Sequence, residues 1–253
     1  MLVFRYDKSF EGLLTAIFDA YSRKAFPHRL IAEAEALPMF TEKEYRVSTD
    51  PEKANRVWNA LLKKLKKDVC NMLMCVWLSE LPESDELLFR YMRKAIDSPY
   101  SIATNFADDD VLQVEKIARK VSRERLHLIQ FVRFQKAADD LFFAPVSPIF
   151  NSLPLTMNHF TDRFADQKWL IYDIRRRYGF YYDLQTATEI TLDHDEHLLS
   201  GKLNEELMAK DERLFQEMWK SYFKAMTIKE RINPRLQRQH MPRRYWKFLP
   251  EKN

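Results

Sequence analysis

FVRFQ (131–135), LFFAPV (141–146), WLIYDIRRRYGFYYD (169–183) and ATEITL (187–192) are dense in aromatic and β-branched residues, with short polar or glycine-bearing breaks between them. Such side chains fit a pleated, half-buried surface, so the stretch from 127 to 192 predicts strands and hairpins. HFTDRF (159–164) interrupts them, and a short helix is predicted at about 154–165. Arg133, Asp173, Arg175, Arg176 and Arg177 sit among these apolar strands. Charges there mark the region as the place to look for a site.

Outside this stretch the pattern is helical. At the start, LVFRY (2–6) alternates and predicts an edge strand, and Asp7 and Ser9 offer cap oxygens for a helix running to about Lys24. Residues 28–50 read as irregular. Asp50 and Pro51 then open an amphipathic helix in which Ala54, Val57, Trp58, Leu61, Leu62 and Leu65 recur at helical spacing. Further helices are predicted at about 68–80, 84–97 and 111–129, and a last long one at about 203–226. Leu207, Met208, Phe215, Met218, Trp219, Tyr222, Phe223 and Met226 form the apolar side of that last helix.

The chain has 253 residues, 46% of them apolar, enough to fill a substantial core. The fold class that follows is α+β: a mostly helical single domain, 1–228, packed around a small antiparallel sheet at about 127–192. A basic, aromatic C-terminal tail, 229–253, packs on it. Three glycines leave no room for a Rossmann fingerprint or a P-loop. Cys70 and Cys75 lie on one predicted buried helix and read as reduced structural thiols. The first residues lack the basic and apolar regions of a signal peptide, and no apolar run is long enough to span a bilayer. A cytoplasmic protein with no membrane association is the expectation.

The net charge of +4 is mildly basic and unevenly placed. From Lys229 to Lys247 the tail holds seven basic residues and the single acid Glu230, with Tyr245, Trp246 and Phe248 interleaved at its end. Guanidinium groups pair phosphates bidentately and aromatic rings stack on bases, so the mixture suits nucleic acid. The candidate binding set is Arg175, Arg176, Arg177, Arg235, Arg238, Arg243, Arg244, Tyr245 and Trp246. Trp246 is expected to be mostly buried, pinning Arg243 and Arg244 on the side that carries Arg175–Arg177. The competing reading is a tail that anchors itself by its aromatic residues while its charges face water.

An enzyme acting on a nucleobase or phosphate is the alternative, with His127, Arg133 and Asp173 as candidate catalytic residues that must converge in one pocket. A third reading is a protein-interaction module with Phe40, Tyr100 and Trp246 as exposed anchors. DHDEH (193–197) has metal-ligand residue types, but no second His or Cys cluster accompanies it, so neither a metal site nor a cofactor is expected.

SFEGLLTAIFDAY (9–21), VSTDPEKANRVWNALLKKL (47–65), HLIQFVRFQ (127–135), HFTDRFADQKWLIYDIRRRYGFYYD (159–183) and INPRLQRQHMPRRYWKFLPE (232–251) together resemble a bacterial domain family of unknown function. Its members are usually labelled probable DNA-metabolism proteins. The resemblance implies a DNA-related role beside a radical S-adenosylmethionine protein, in some bacteria behind a uracil-DNA glycosylase domain. It carries over no catalytic residue. That glycosylase domain is absent from this chain, as are the cysteines of an iron–sulfur cluster. Where the family tends to have a glycine-bearing turn, Leu184, Gln185 and Thr186 follow Asp183.

Overall fold

The computed structural model describes residues 1–192 and 208–252. DHDEH and residues 203–207 of the last predicted helix lie outside the described residues; Met208, expected on that helix, bridges Ala137 instead, and the helix begins at Glu212. The fold is α+β, and the chain divides into two compact units, Met1–Ser122 and Arg123–Asn253.

In the first unit β1 (Leu2–Tyr6) leads into α1 (Phe10–Arg23), where Ser9 caps by accepting a hydrogen bond from the Gly12 amide. Two strands follow in the segment read as irregular, β2 (Arg29–Ala32) and β3 (Lys43–Arg46), both parallel to β1 and on either side of it. β1 is therefore a central strand, not an edge. The misreading has a local cause: four-residue strands show too little alternation to be seen, and their pairing is set by a distant strand. Arg5 ties the sheet's end together, its Nη1 donating to the carbonyls of Ala32, Glu33 and Glu35 at 2.6–2.8 Å. α2 (Pro51–Lys64) starts at the Asp50 cap, and α3 (Lys67–Trp77) and α4 (Ser84–Asp97) follow close to their predicted bounds. Leu13, Ile17, Leu61, Leu73, Leu88 and Met92 form the heart of this unit's core.

α5 (Asp109–Phe131) runs from the first unit into the second and continues through the first residue of FVRFQ, so the strand expected at 131–135 shrinks to β4 (Gln135–Lys136). Phe131, Val132 and Phe134 pack, partly buried, against the core from helix and loop positions instead. β5 (Phe142–Val146) pairs antiparallel with β4. The chain then crosses over through a 3-10 turn (Pro154–Thr156) and α6 (Met157–Arg163) and returns as β6 (Trp169–Asp173), parallel to β5. β7 (Tyr178–Tyr182) and β8 (Ala187–Ile190) complete an antiparallel meander, giving the order β4-β5-β6-β7-β8. The expected antiparallel sheet is thus mixed, because the helix between β5 and β6 makes a crossover possible where a hairpin would reverse the chain.

β6 is buried along its whole length because both faces of the sheet are covered. Ala144, Val146, Trp169 and Ile171 face one apolar cluster with Leu128 and Tyr245, while Phe143, Leu170 and Tyr172 face another with Phe248. Gly179 lies within β7 opposite Tyr172. A Cβ there would stand 2.4 Å from the Ile171 carbonyl oxygen and 2.9 Å from the Tyr172 Cα. Gly179→Ala is expected to destabilise the protein by about 1–3 kcal/mol, the range for forcing an extra carbon into packed structure. Urea unfolding checks this, and an unchanged midpoint would contradict it. At the next turn Leu184 adopts a left-handed φ of 83°, and Asp183 fixes the turn by accepting from the Gln185 and Thr186 amides.

Candidate functional site

Parallel strands β5 and β6 end side by side at Val146 and Asp173. The loop 147–153 and the turn 174–177 therefore leave the sheet at the same edge, the position where crossover folds commonly build sites. The arginine run, Arg175–Arg177, forms the turn between β6 and β7. Asp173 organises it: one carboxylate oxygen accepts from the Arg175 amide at 2.9 Å and the Arg176 amide at 3.3 Å, the other from Arg176 Nη1 at 2.9 Å. Arg177, at φ 57°, turns the chain back into β7. Arg175 and Arg176 reach across to the carbonyl oxygens of Pro148 and Ile149. Tyr178 secures the same loop by donating to the Asn151 side-chain oxygen.

From the other side α5 presents Glu124, His127, Leu128 and Phe131, one helical face. Glu124 accepts from the Ile149 amide at 2.9 Å and is paired with Arg244 of the tail. His127 Nδ1 lies 3.5 Å from Arg244 Nη2 and 3.6 Å from Glu124 Oε2. Its ring is stacked on Phe131 and meets the edge of Tyr245. The backbone of Ile149 is thus held through its N–H by Glu124 and through its C=O by Arg175 and Arg176. His127 and Asp173 stand at opposite ends of one network.

The electrostatics follow from burial and partners. Burial pushes the Glu124 carboxyl up, but hydrogen bonds from Arg244 and the Ile149 amide outweigh it and hold the group below the ordinary carboxylate range. Burial raises Asp173, and Arg176 with the turn amides offsets this only in part, so it lies above that range. Burial lowers His127, with Glu124 opposing and Arg244 reinforcing the shift. Burial, and then the charge of Glu124, pushes the Tyr245 hydroxyl well above the usual tyrosine range, although that hydroxyl makes no hydrogen bond among the described residues.

His127 gives a pH prediction with a definite sign. Its folded pKa is below the ordinary 6.5, so as pH falls the unfolded chain takes up the proton first. The stability it contributes is complete above that ordinary value and is lost as pH falls through the folded one. On going from about pH 7 to about pH 5, spanning the usual histidine range, the parent should lose more stability than His127→Gln in urea titrations. Equal losses in the two proteins would contradict the assignment.

The three catalytic candidates are not brought together. Asp173 is 0% exposed and its oxygens are occupied by the turn. Arg133 turns to the chain's end, where its Nη2 donates to Glu251 at 3.0 Å and Trp219 Nε1 donates to the other oxygen of the same carboxylate. Glu124 and Glu251 are the residues that sequence reasoning missed. For Glu124 a signal existed, an acid between Val121 and Leu128 on an apolar stripe. Glu251 had none.

The tail runs as short helical pieces after α7 (Glu212–Met226): a 3-10 turn (Lys229–Arg231), α8 (Pro234–His240), and 3-10 turns at Arg243–Phe248 and Pro250–Lys252. Trp246 is half-buried rather than the buried pin, with its indole N–H on the Met241 carbonyl. Tyr245 and Phe248 take that role because residues three apart eclipse in a 3-10 helix, which puts Trp246 off the buried side. The predicted binding set therefore divides. Arg175, Arg176 and Arg244 hold the 147–153 loop or Glu124, and Tyr245 is interior. Arg177 is exposed at its turn, and Arg235, Arg238 and Arg243 are exposed on the tail.

α7 is amphipathic as its spacing predicts, yet its apolar face is open. Phe215, Met218, Tyr222 and Met226 are more than half exposed, and among the described residues nothing covers them. Phe40 and Tyr100 are also exposed.

This is an α+β protein with a loop-clamping carboxylate–arginine network and a C-terminal region whose arginines are largely exposed while its aromatic rings are buried or half-buried. The chain belongs to a family known as a domain of unknown function, DUF4130, whose model matches residues 82–251. No curated protein matches it. Among solved structures, a pGpG-specific phosphodiesterase, PggH, from Vibrio cholerae is 10% identical, with 89% of this chain and 99% of that one covered and a TM-score of 0.32. Among the described residues no helix is long and apolar enough to cross a membrane.

Proposed function

We propose that the protein is a DNA-binding accessory factor that grips a strand through the exposed arginines of its tail. The observation that carries this reading is the state of Arg231, Arg235, Arg238 and Arg243: all are exposed, and among the described residues none forms an ion pair. Arginines that build the fold are held by carboxylates and carbonyls; among the described residues these four are held by neither. The rings of Trp219 and Tyr222, 5.7 Å apart on α7, offer aromatic faces in the same unit. Exposed arginines with accessible rings favour a single strand, where bases stack and phosphates track cations. Fluorescence anisotropy with labelled single strands and duplexes tests the reading. Association at low salt, tighter for the single strand, is expected; no association with either form would overturn it.

The open apolar face of α7 supports a second reading, a docking surface for a protein. Family resemblance suggests the partner, a radical S-adenosylmethionine protein that would supply the chemistry. A pull-down with that protein, with nuclease added, separates the two: direct docking survives nuclease and DNA bridging does not. No reaction is assigned to His127, Arg133 and Asp173.

A further inference from the structure

The tail folds back around a groove of about 580 Å³ between the end of α7, α8 and the last 3-10 turn. Its floor is apolar, with Phe223, Ile232 and Leu236 among the lining residues. Arg231 and Lys252 bring positive charge to its lining and His240 adds an imidazole; among the described residues no carboxylate lines it. Lys252 Nζ lies 5.4 Å from the Phe223 ring and 5.2 Å from the Trp246 ring, which holds a cation at the groove's lip. Gln237 adds an amide, a group that both donates and accepts and so matches the edge of a base.

An apolar lining that includes one phenyl ring, an amide and two cations has the chemistry of a planar, polar-edged ring joined to an anion. The volume falls within the usual range for small-molecule sites. A simple alkyl carboxylate would leave the amide without use, and a bare inorganic anion would leave the apolar floor empty. We propose that this groove seats one nucleotide unit, its base against Phe223 and Leu236 and its phosphate between Arg231 and Lys252. The unit can come from a free mononucleotide or from a strand end, and both share this chemistry. The proposal deepens the nucleic-acid reading and rests on it.

The test uses the full chain, with thymidine monophosphate, thymidine, inorganic phosphate and a labelled 5′-phosphorylated oligothymidylate as probes in calorimetric and anisotropy titrations. Leu236→Asp places a carboxylate in the floor at a position already 49% exposed, so the fold should tolerate it, and a thermal melt verifies this. Arg231→Ala is the second variant. Thymidine monophosphate should bind the parent and weaken by at least about tenfold in Leu236→Asp. Strand binding should weaken about fivefold at 0.1 M salt in Arg231→Ala, the share of one phosphate contact on a single strand. If the strand binds the parent but the mononucleotide does not, and Leu236→Asp leaves the strand's affinity unchanged, the groove proposal falls while the surface reading stands. If the mononucleotide binds and the strand does not, the surface reading falls and the groove stands as a free-nucleotide site. Inorganic phosphate binding as tightly as the nucleotide overturns the base seat.

Discussion

Glu124→Ala is expected to destabilise the protein by about 3–5 kcal/mol, the range for removing one partner of a buried ion pair. Glu124 is 3% exposed and receives both the Arg244 guanidinium and the Ile149 amide. Deleting it leaves a partly buried cation and a partly buried N–H without their carboxylate acceptor. It also unties the 147–153 loop from α5 and frees Arg244, next to Tyr245, from its anchor in the second unit. Glu124→Gln keeps an acceptor for Ile149 and removes only the charge, so its loss should be smaller. Urea unfolding of the two variants beside the parent measures both. A loss below about 1 kcal/mol for the alanine variant, the level of an ordinary surface ion pair, would show that the pair does not organise the loop.

The second large effect is on binding. Replacing Arg235, Arg238 and Arg243 together by alanine is expected to lower single-strand affinity about a hundredfold at 0.1 M salt. Each phosphate contact on a single strand contributes about 0.7 to the slope of log K against log salt, so three removed contacts are worth about two decades at that concentration. The melting temperature should hardly change, because these side chains make no ion pair among the described residues. Arg176→Ala should behave in the opposite way. It loses the bonds to Asp173, Pro148 and Ile149, so stability falls, while affinity of the folded fraction is kept.

Much of the helical framework was legible in the sequence, because caps and spacing are local. Ser9, and Asp50 with Pro51, open their helices where they stand in the chain. The strands were harder. β2 and β3 exist because β1 lies between them, and no four-residue window reports a partner 25 or more residues away. FVRFQ has strand composition, yet α5 runs into it because Phe131 can join the face that carries His127 and Leu128. At the site the charges were visible but their partners were not. Asp173 reads equally well as an acid or as a turn organiser, and only the amides of Arg175 and Arg176 decide between them. Trp246 has the size of a buried anchor, but the 3-10 register gives that place to Tyr245 and Phe248.

On the proposed reading the exposed tail arginines, Arg231, Arg235, Arg238 and Arg243, are a phosphate-binding set distinct from the arginines that build the fold, Arg244 included. The salt dependence of single-strand binding tests it most directly, measured for the parent and for the variant lacking Arg235, Arg238 and Arg243. With four contacts counting Arg231, the parent's log K should fall with log salt at a slope of about −2.8, and the variant's at about −0.7. Parallel slopes for the two proteins, or a parent that binds no strand at low salt, would contradict the account.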